Sequence, residues 1–199
     1  ARRRSEWREE KGKRAARDRG KGLASAAVFE VLSAKVPANA VISVDVGNNT
    51  YSFGRYFESR NGQSVVMSGY LGSIGFGYPA AMGAWAACGD ERPIVAITGD
   101  GGFGQYLGEL TTAVKYGMKI THILLNNSEL GKISKEQRAG NWDVWQTALH
   151  NPNFADFASN CGALGIRVSN LGELSGAIDQ ALAHDGPSVV EIITDSELV

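Results

Sequence analysis

The sequence predicts an α/β fold, a six-stranded parallel sheet with helices on both faces. Three observations carry this. From Gly22 onward, short apolar runs alternate with helical patterns and no long linker interrupts them, the arrangement of a parallel sheet covered on both sides. Twenty-five glycines against five prolines suit a chain with many strand-end turns. Two of the apolar runs stop abruptly at polar residues, Asp100 and Asn126.

In chain order, a basic leader (1–21) precedes a domain spanning 22–199. A helical pattern near 22–35 leads to a strand near 40–46, where Val41-Ile42-Ser43-Val44 opens into Gly47-Asn48-Asn49. A helix near 50–58 and a strand near 64–68 follow. The next segment, Ser68 to Gly77, is rich in glycine, and the small residues around Pro79 continue it as a tightly packed helix near 73–88. The β-branched run Ile94-Val95-Ala96-Ile97-Thr98 marks a strand near 93–98, followed by a helix near 103–117. The strand near 119–126 fits a central position, which makes His122 a hydrogen-bonded core residue rather than a catalyst. Helices near 128–137, 153–161 and 170–184 and strands near 163–168 and 187–193 complete the alternation.

At 199 residues and 43% hydrophobic content, the chain can bury one substantial core. No apolar run reaches the length of a membrane span. Cys88 and Cys161 show neither metal-ligand spacing nor a disulfide framework, and read as reduced packing residues of a cytoplasmic protein. Charge is unevenly distributed: residues 1–22 hold ten Lys or Arg against four Asp or Glu, and the rest of the chain ten against seventeen. The leader reads as a solvated linker or exposed helix. Nucleic acid is not its expected partner, because Trp7 alone offers a stacking face.

The chemistry concentrates at Gly99-Asp100-Gly101-Gly102, twenty-four residues after which comes Asn126-Asn127. One carboxylate and one carboxamide thus stand at the carboxyl ends of two strands, where open α/β sheets bind ligands. Beside glycines with exposed backbone N–H groups, they suit a hard divalent cation holding a phosphate ester. Singly, Asp100 also reads as a helix cap and Asn127 as a loop residue.

Taken together, this spacing resembles the diphosphate-binding motif of the thiamine diphosphate-dependent enzymes, and the glycine-rich loop Gly69 to Gly77 resembles the acetohydroxyacid synthase and pyruvate oxidase branch. The resemblance implies Mg²⁺ held by Asp100, Asn127 and the main-chain carbonyl of Glu129. It implies cofactor contacts from Gly101, Gly102 and Asn127, with Ile74 as the wedge under the bent cofactor and Gly72 and Ile74 at the aminopyrimidine edge. Asn48 and Asn49 are candidate phosphate contacts, and equally candidate caps of the next helix. The implied function is that of a diphosphate- and Mg²⁺-binding domain acting on a 2-oxo acid such as pyruvate. No residue matches the family's activating glutamate, so a pyrimidine-binding domain from the same or another chain is expected as partner, within a homodimer or homotetramer. The acceptor, and any use of FAD, stay open.

Two other classes compete. A non-catalytic assembly module with a nucleic-acid-contacting leader would leave the metal-site spacing unexplained. A dinucleotide-binding domain would need a different order of glycines from Gly72, Gly75 and Gly77.

Overall fold

A computed structural model describes residues 2–199. The elements are α1 (Arg2–Ala15), α2 (Ser25–Lys35), β1 (Val41–Val44), α3 (Asn48–Tyr56), β2 (Ser64–Met67), α4 (Gly77–Cys88), β3 (Ile94–Gly99), α5 (Asp100–Phe103), α6 (Glu109–Lys115), β4 (Ile120–Asn126), α7 (Gly131–Ala139), α8 (Phe154–Asn160), β5 (Leu164–Val168), α9 (Leu171–Ala183) and β6 (Ser188–Ile193). The strands form one parallel sheet in the order β2-β1-β3-β4-β6-β5. The chain leaves β1 for β2 on one side and returns to β3 on the other. Loops therefore diverge at the carboxyl ends of β1 and β3 and open a crevice there.

Each central strand alternates between two apolar layers. On one face Phe29 and Leu32 of α2, Phe53 of α3, and Leu174 and Ile178 of α9 pack against Ile42, Val95, Ile97, Ile123 and Val190. On the other, Tyr78 of α4, Phe103 of α5, Leu110 of α6 and Phe154 of α8 cover Ile94, Ala96, Ile120, Leu124 and Val189. These buried aromatic and aliphatic side chains each contribute roughly 1.5–3 kcal/mol by leaving water. Among the described residues no helix is long and apolar enough to cross a membrane.

The helix expected over 103–117 is two helices, α5 and α6, joined by a turn. Gly104 and Gly108 lie in that turn, and each glycine costs a helix interior about 1 kcal/mol relative to alanine. Tyr106, in the same turn, lies where a Cβ on Gly75 would fall, so the break seats this ring against the Gly-rich loop. Gly75 itself has φ +90°, which holds the start of α4 back to Gly77. The leader forms α1, which packs on α2 without burying any residue. Trp7 stacks on Tyr56 with ring centroids 6.3 Å apart, Arg14 donates to the Tyr56 hydroxyl at 3.2 Å, and Lys11 pairs with Glu58.

His122 is fully buried in β4, its Nε2 2.8 Å from Thr98 Oγ1 and its ring against Tyr78 and Phe103. Burial pushes its pKa down to about 3. Unfolded histidine takes up a proton near pH 6.5. Between those values the unfolded state binds more protons than the folded one, so stability falls as pH drops. From pH 6.5 to 4.5 the expected loss is about 2–3 kcal/mol, at 1.36 kcal/mol per unit. Urea denaturation at pH 7 and 4.5 should show a smaller loss for His122→Gln than for the parent. Equal losses would mean that His122 is not the titrating group.

Candidate functional site

The crevice is a cleft of about 380 Å³ where the loops after β1, β3 and β4 meet the Gly-rich loop. Its wall includes Asn48, Asn49, Gly72, Ile74, Asp100, Gly101, Gly102, Asn127 and Glu129, so the residues expected from sequence converge. Ser25, Leu130, Gly131, Lys132 and Thr194 also line it.

Asp100 follows β3 directly and is buried. Its carboxylate does not cap α5. Instead, Oδ2 reaches across to the segment after β4 and accepts hydrogen bonds from the Ser128 N–H at 2.8 Å and Asn151 Nδ2 at 2.7 Å. Desolvation raises the carboxyl pKa, and those two donors oppose the rise. A carboxylate in this position gains from a cation. Asn127 follows β4, and its Oδ1 accepts the Glu129 N–H at 3.0 Å, which fixes the turn carrying the Glu129 carbonyl. Between them Ser128 has φ +55°, a strained value for a residue with a side chain.

After β1, α3 starts at Asn48 with Gly47 at its cap, so neither asparagine caps it by its side chain. Asn49 is buried and donates to the Asp45 carbonyl at 2.7 Å. Asn48 Nδ2 is buried at the cleft without a hydrogen-bond partner among the described residues, 2.6 Å from where a Cβ on Gly131 would sit. A buried amide left without an acceptor is costly unless a ligand supplies one. A Cβ on Gly101 would lie 2.7 Å from Leu130 Cδ2, so the Leu130 side chain would have to shift to admit it.

Gly72, at φ +66°, turns the Gly-rich loop so that Ile74 stands 41% exposed at the cleft, beside the more exposed Leu71. Asp45 is a residue that sequence reasoning passed over. Fully buried, it accepts the Gly75 N–H at 2.8 Å and the Val46 N–H at 2.7 Å on Oδ1, while Oδ2 has no hydrogen-bond partner among the described residues and lies against Gly102. Burial raises its pKa. It thereby joins the loops after β1 and β3 to the Gly-rich loop. An acidic residue continuing the apolar run of β1 was the available signal.

Of the polar residues after Asn127, Lys132 pairs with Glu136, lies over the Tyr51 ring and lines the cleft. Gln137 turns away and hydrogen-bonds the Trp145 backbone in both directions, leaving Trp142 and Trp145 exposed. Cys88 and Cys161 are free and flank the second apolar layer.

Among the described residues no cluster of three or more His, Cys, Asp or Glu side chains could hold a metal ion. The donors here are one carboxylate, one carboxamide and a main-chain carbonyl. That hard-oxygen set is incomplete alone and suits Mg²⁺ when phosphate oxygens complete the shell. With the unpartnered Asn48 amide and the glycine-lined wall, the residues fit a metal-bound diphosphate.

Comparison with known proteins gives the family. Residues 45–192 match the family described as thiamine pyrophosphate enzyme, C-terminal TPP binding domain. The chain is 42% identical over 160 residues to a thiamine pyrophosphate-containing protein, YdaP, of Bacillus subtilis, an alignment covering 80% of this chain and 28% of that protein. It is 33% identical over 158 residues to the mitochondrial acetolactate synthase catalytic subunit of Aspergillus candidus, covering 79% of this chain and 23% of the relative. With the acetolactate synthase isozyme 2 large subunit of Escherichia coli, identity is 29% over 178 residues, 88% of this chain and 32% of the relative. The chain thus spans about a quarter to a third of the length of these relatives. The match covers the three loops that meet at the cleft, and on it the chain belongs to the thiamine pyrophosphate enzyme family, as its C-terminal TPP binding domain.

Proposed function

We propose that this chain holds the diphosphate and metal end of thiamine diphosphate in a cytoplasmic enzyme acting on a small 2-oxo acid such as pyruvate, in the manner of an acetolactate synthase. The observation that carries this reading is that Asp100 and Asn127 line the same glycine-lined cleft together with Glu129. Asp100, Asn127 Oδ1 and the Glu129 carbonyl hold Mg²⁺. The backbone of Gly101 and Gly102, with the amides of Asn48 and Asn49, receives the diphosphate. Ile74 supports the ring end, with the Gly72 carbonyl and Ile74 N–H at the pyrimidine edge. When bound, the cofactor supplies a carbon nucleophile and an electron sink for decarboxylation. The protein's share is to orient it and keep water from it.

Among the described residues lining the cleft Glu129 is the one glutamate, and this reading gives its main-chain carbonyl to the metal. The reading therefore requires a pyrimidine-binding domain from the same or another chain, within a homodimer or homotetramer. The exposed Leu71 and the half-exposed Ile74 suit burial under such a domain. Calorimetric titration with thiamine diphosphate, in the presence of the complementary domain, should show saturable binding that requires Mg²⁺. The pure 199-residue chain should turn over no pyruvate. Binding independent of Mg²⁺ would overturn the metal assignment, and sustained turnover by the pure chain would overturn the need for a partner domain.

A further inference from the structure

Behind the cleft, a line of hydrogen bonds runs across the sheet to Glu191 in the middle of β6. Glu191 has no exposed surface, yet its neighbours on the strand are Val190 and Ile192. A carboxylate in such a place is retained only where donors surround it. Three donors do. Asn126 Nδ2 lies 2.7 Å from Oε1, the Ala155 N–H 3.1 Å from Oε2, and Arg167 Nη1 3.2 and 3.3 Å from the two oxygens.

The consequence is carried by the amide of Asn126, which has one donor end and one acceptor end. With Nδ2 committed to Glu191, Oδ1 must face the other way. There it accepts from the Ser128 N–H at 3.1 Å, Ser128 Oγ at 3.3 Å and Asn151 Nδ2 at 3.0 Å. The Ser128 N–H and Asn151 Nδ2 are also the two donors on Asp100 Oδ2. A reversed Asn126 amide would set Nδ2 against these donors. We infer that Glu191 is a positioning residue for the metal site: by fixing the sense of the Asn126 amide, it aligns Ser128 and Asn151 on Asp100 Oδ2 and leaves the other carboxylate oxygen to the metal. This rests on the reading of Asp100 as a metal ligand, and adds Glu191, Asn126 and Asn151 to the residues on which that ligand depends.

The test is a titration of the 199-residue chain with Mn²⁺ and inorganic diphosphate, followed by electron paramagnetic resonance of the free metal, with thermal denaturation of each variant alongside. Glu191→Gln places an amide where only acceptors fit. It should weaken Mn²⁺ binding about 10- to 100-fold, the usual cost of losing an outer hydrogen-bond partner of a metal ligand. The double variant Asn126→Asp with Glu191→Gln restores the bond between positions 126 and 191 with donor and acceptor exchanged, and leaves one side-chain oxygen at position 191 for the Ala155 N–H and Arg167 Nη1. It should recover most of the affinity, and it remains informative if the single variant fails to fold. Parent-like binding by a folded Glu191→Gln variant would overturn the positioning role while leaving the cofactor site standing. So would a folded double variant that binds no better than the single one, or no better than about tenfold below the parent if the single one does not fold. A parent chain that binds no Mn²⁺ with diphosphate would overturn the metal assignment, and this inference with it.

Discussion

Asp100→Ala is expected to abolish Mg²⁺-dependent binding of thiamine diphosphate while leaving the fold intact. Asp100 is the one carboxylate of the proposed donor set. The neutral oxygens of Asn127 and Glu129 would be left to hold a strongly hydrated dication that binds through one or two carboxylates and the ligand's phosphates. Removing the side chain costs the fold little, because Asp100 lies at a strand end and its burial already disfavours its charge. Ser128 and Asn151 lose one acceptor and keep Asn126 Oδ1. Asn127→Ala should weaken binding less, since a neutral ligand is lost. Calorimetry on Asp100→Ala reads the result directly: affinity equal to the parent's would remove Asp100 from the metal site, and a collapse of the thermal transition would show its role to be structural.

Gly102→Ala should be among the most damaging single methyls in the chain. Its Cβ would fall directly on Asp45 Oδ2, which is buried and has nowhere to move without releasing the Gly75 N–H. Overpacking of this kind costs about 1–3 kcal/mol, a fall in melting temperature of roughly 2–12 °C for a domain of this size. Cofactor binding should fall further than stability, because Gly102 lines the cleft and the displaced carboxylate holds the Gly-rich loop that forms part of its wall. Pairing Gly102→Ala with Asp45→Ala removes the clash and should return part of the melting temperature without restoring binding. A Gly102→Ala variant with unchanged melting temperature and affinity would show that the loops yield at no cost.

The sheet was legible because each strand is marked twice, by a β-branched or aliphatic run and by a glycine or polar stop. Ile94 to Gly99 and Ile120 to Asn126 form β3 and β4 close to where the run and the stop predict them. The break between α5 and α6 was harder to read. Its glycines look tolerable in a helical pattern, and the ring of Tyr106 that fills the gap against Gly75 is placed by tertiary packing. The cleft residues that carry motifs were legible from spacing. Asp45, Asn151 and Glu191 were not, because each acts on a residue 30, 51 or 65 positions away in sequence. A single acidic residue within Val189-Val190-Glu191-Ile192-Ile193 flags a buried partner but cannot say which one.

The excursion between β4 and α8 is fastened at its base. Glu129 and Ala148 form an antiparallel bridge, the Leu130 N–H donates to the Thr147 carbonyl and the Leu149 N–H to the Ser128 carbonyl, each at 2.8 Å. Ser128 and Asn151, which grip Asp100, lie at or outside that fastening, whereas Trp142 and Trp145 lie at its tip. The tip is therefore mechanically insulated from the carboxylate. Doubling the length of such a closed loop costs only about 0.6 kcal/mol. Segments of other length and composition should therefore be tolerated between residues 139 and 146, none of which is among the lining residues of the cleft, without retuning the anchor beneath.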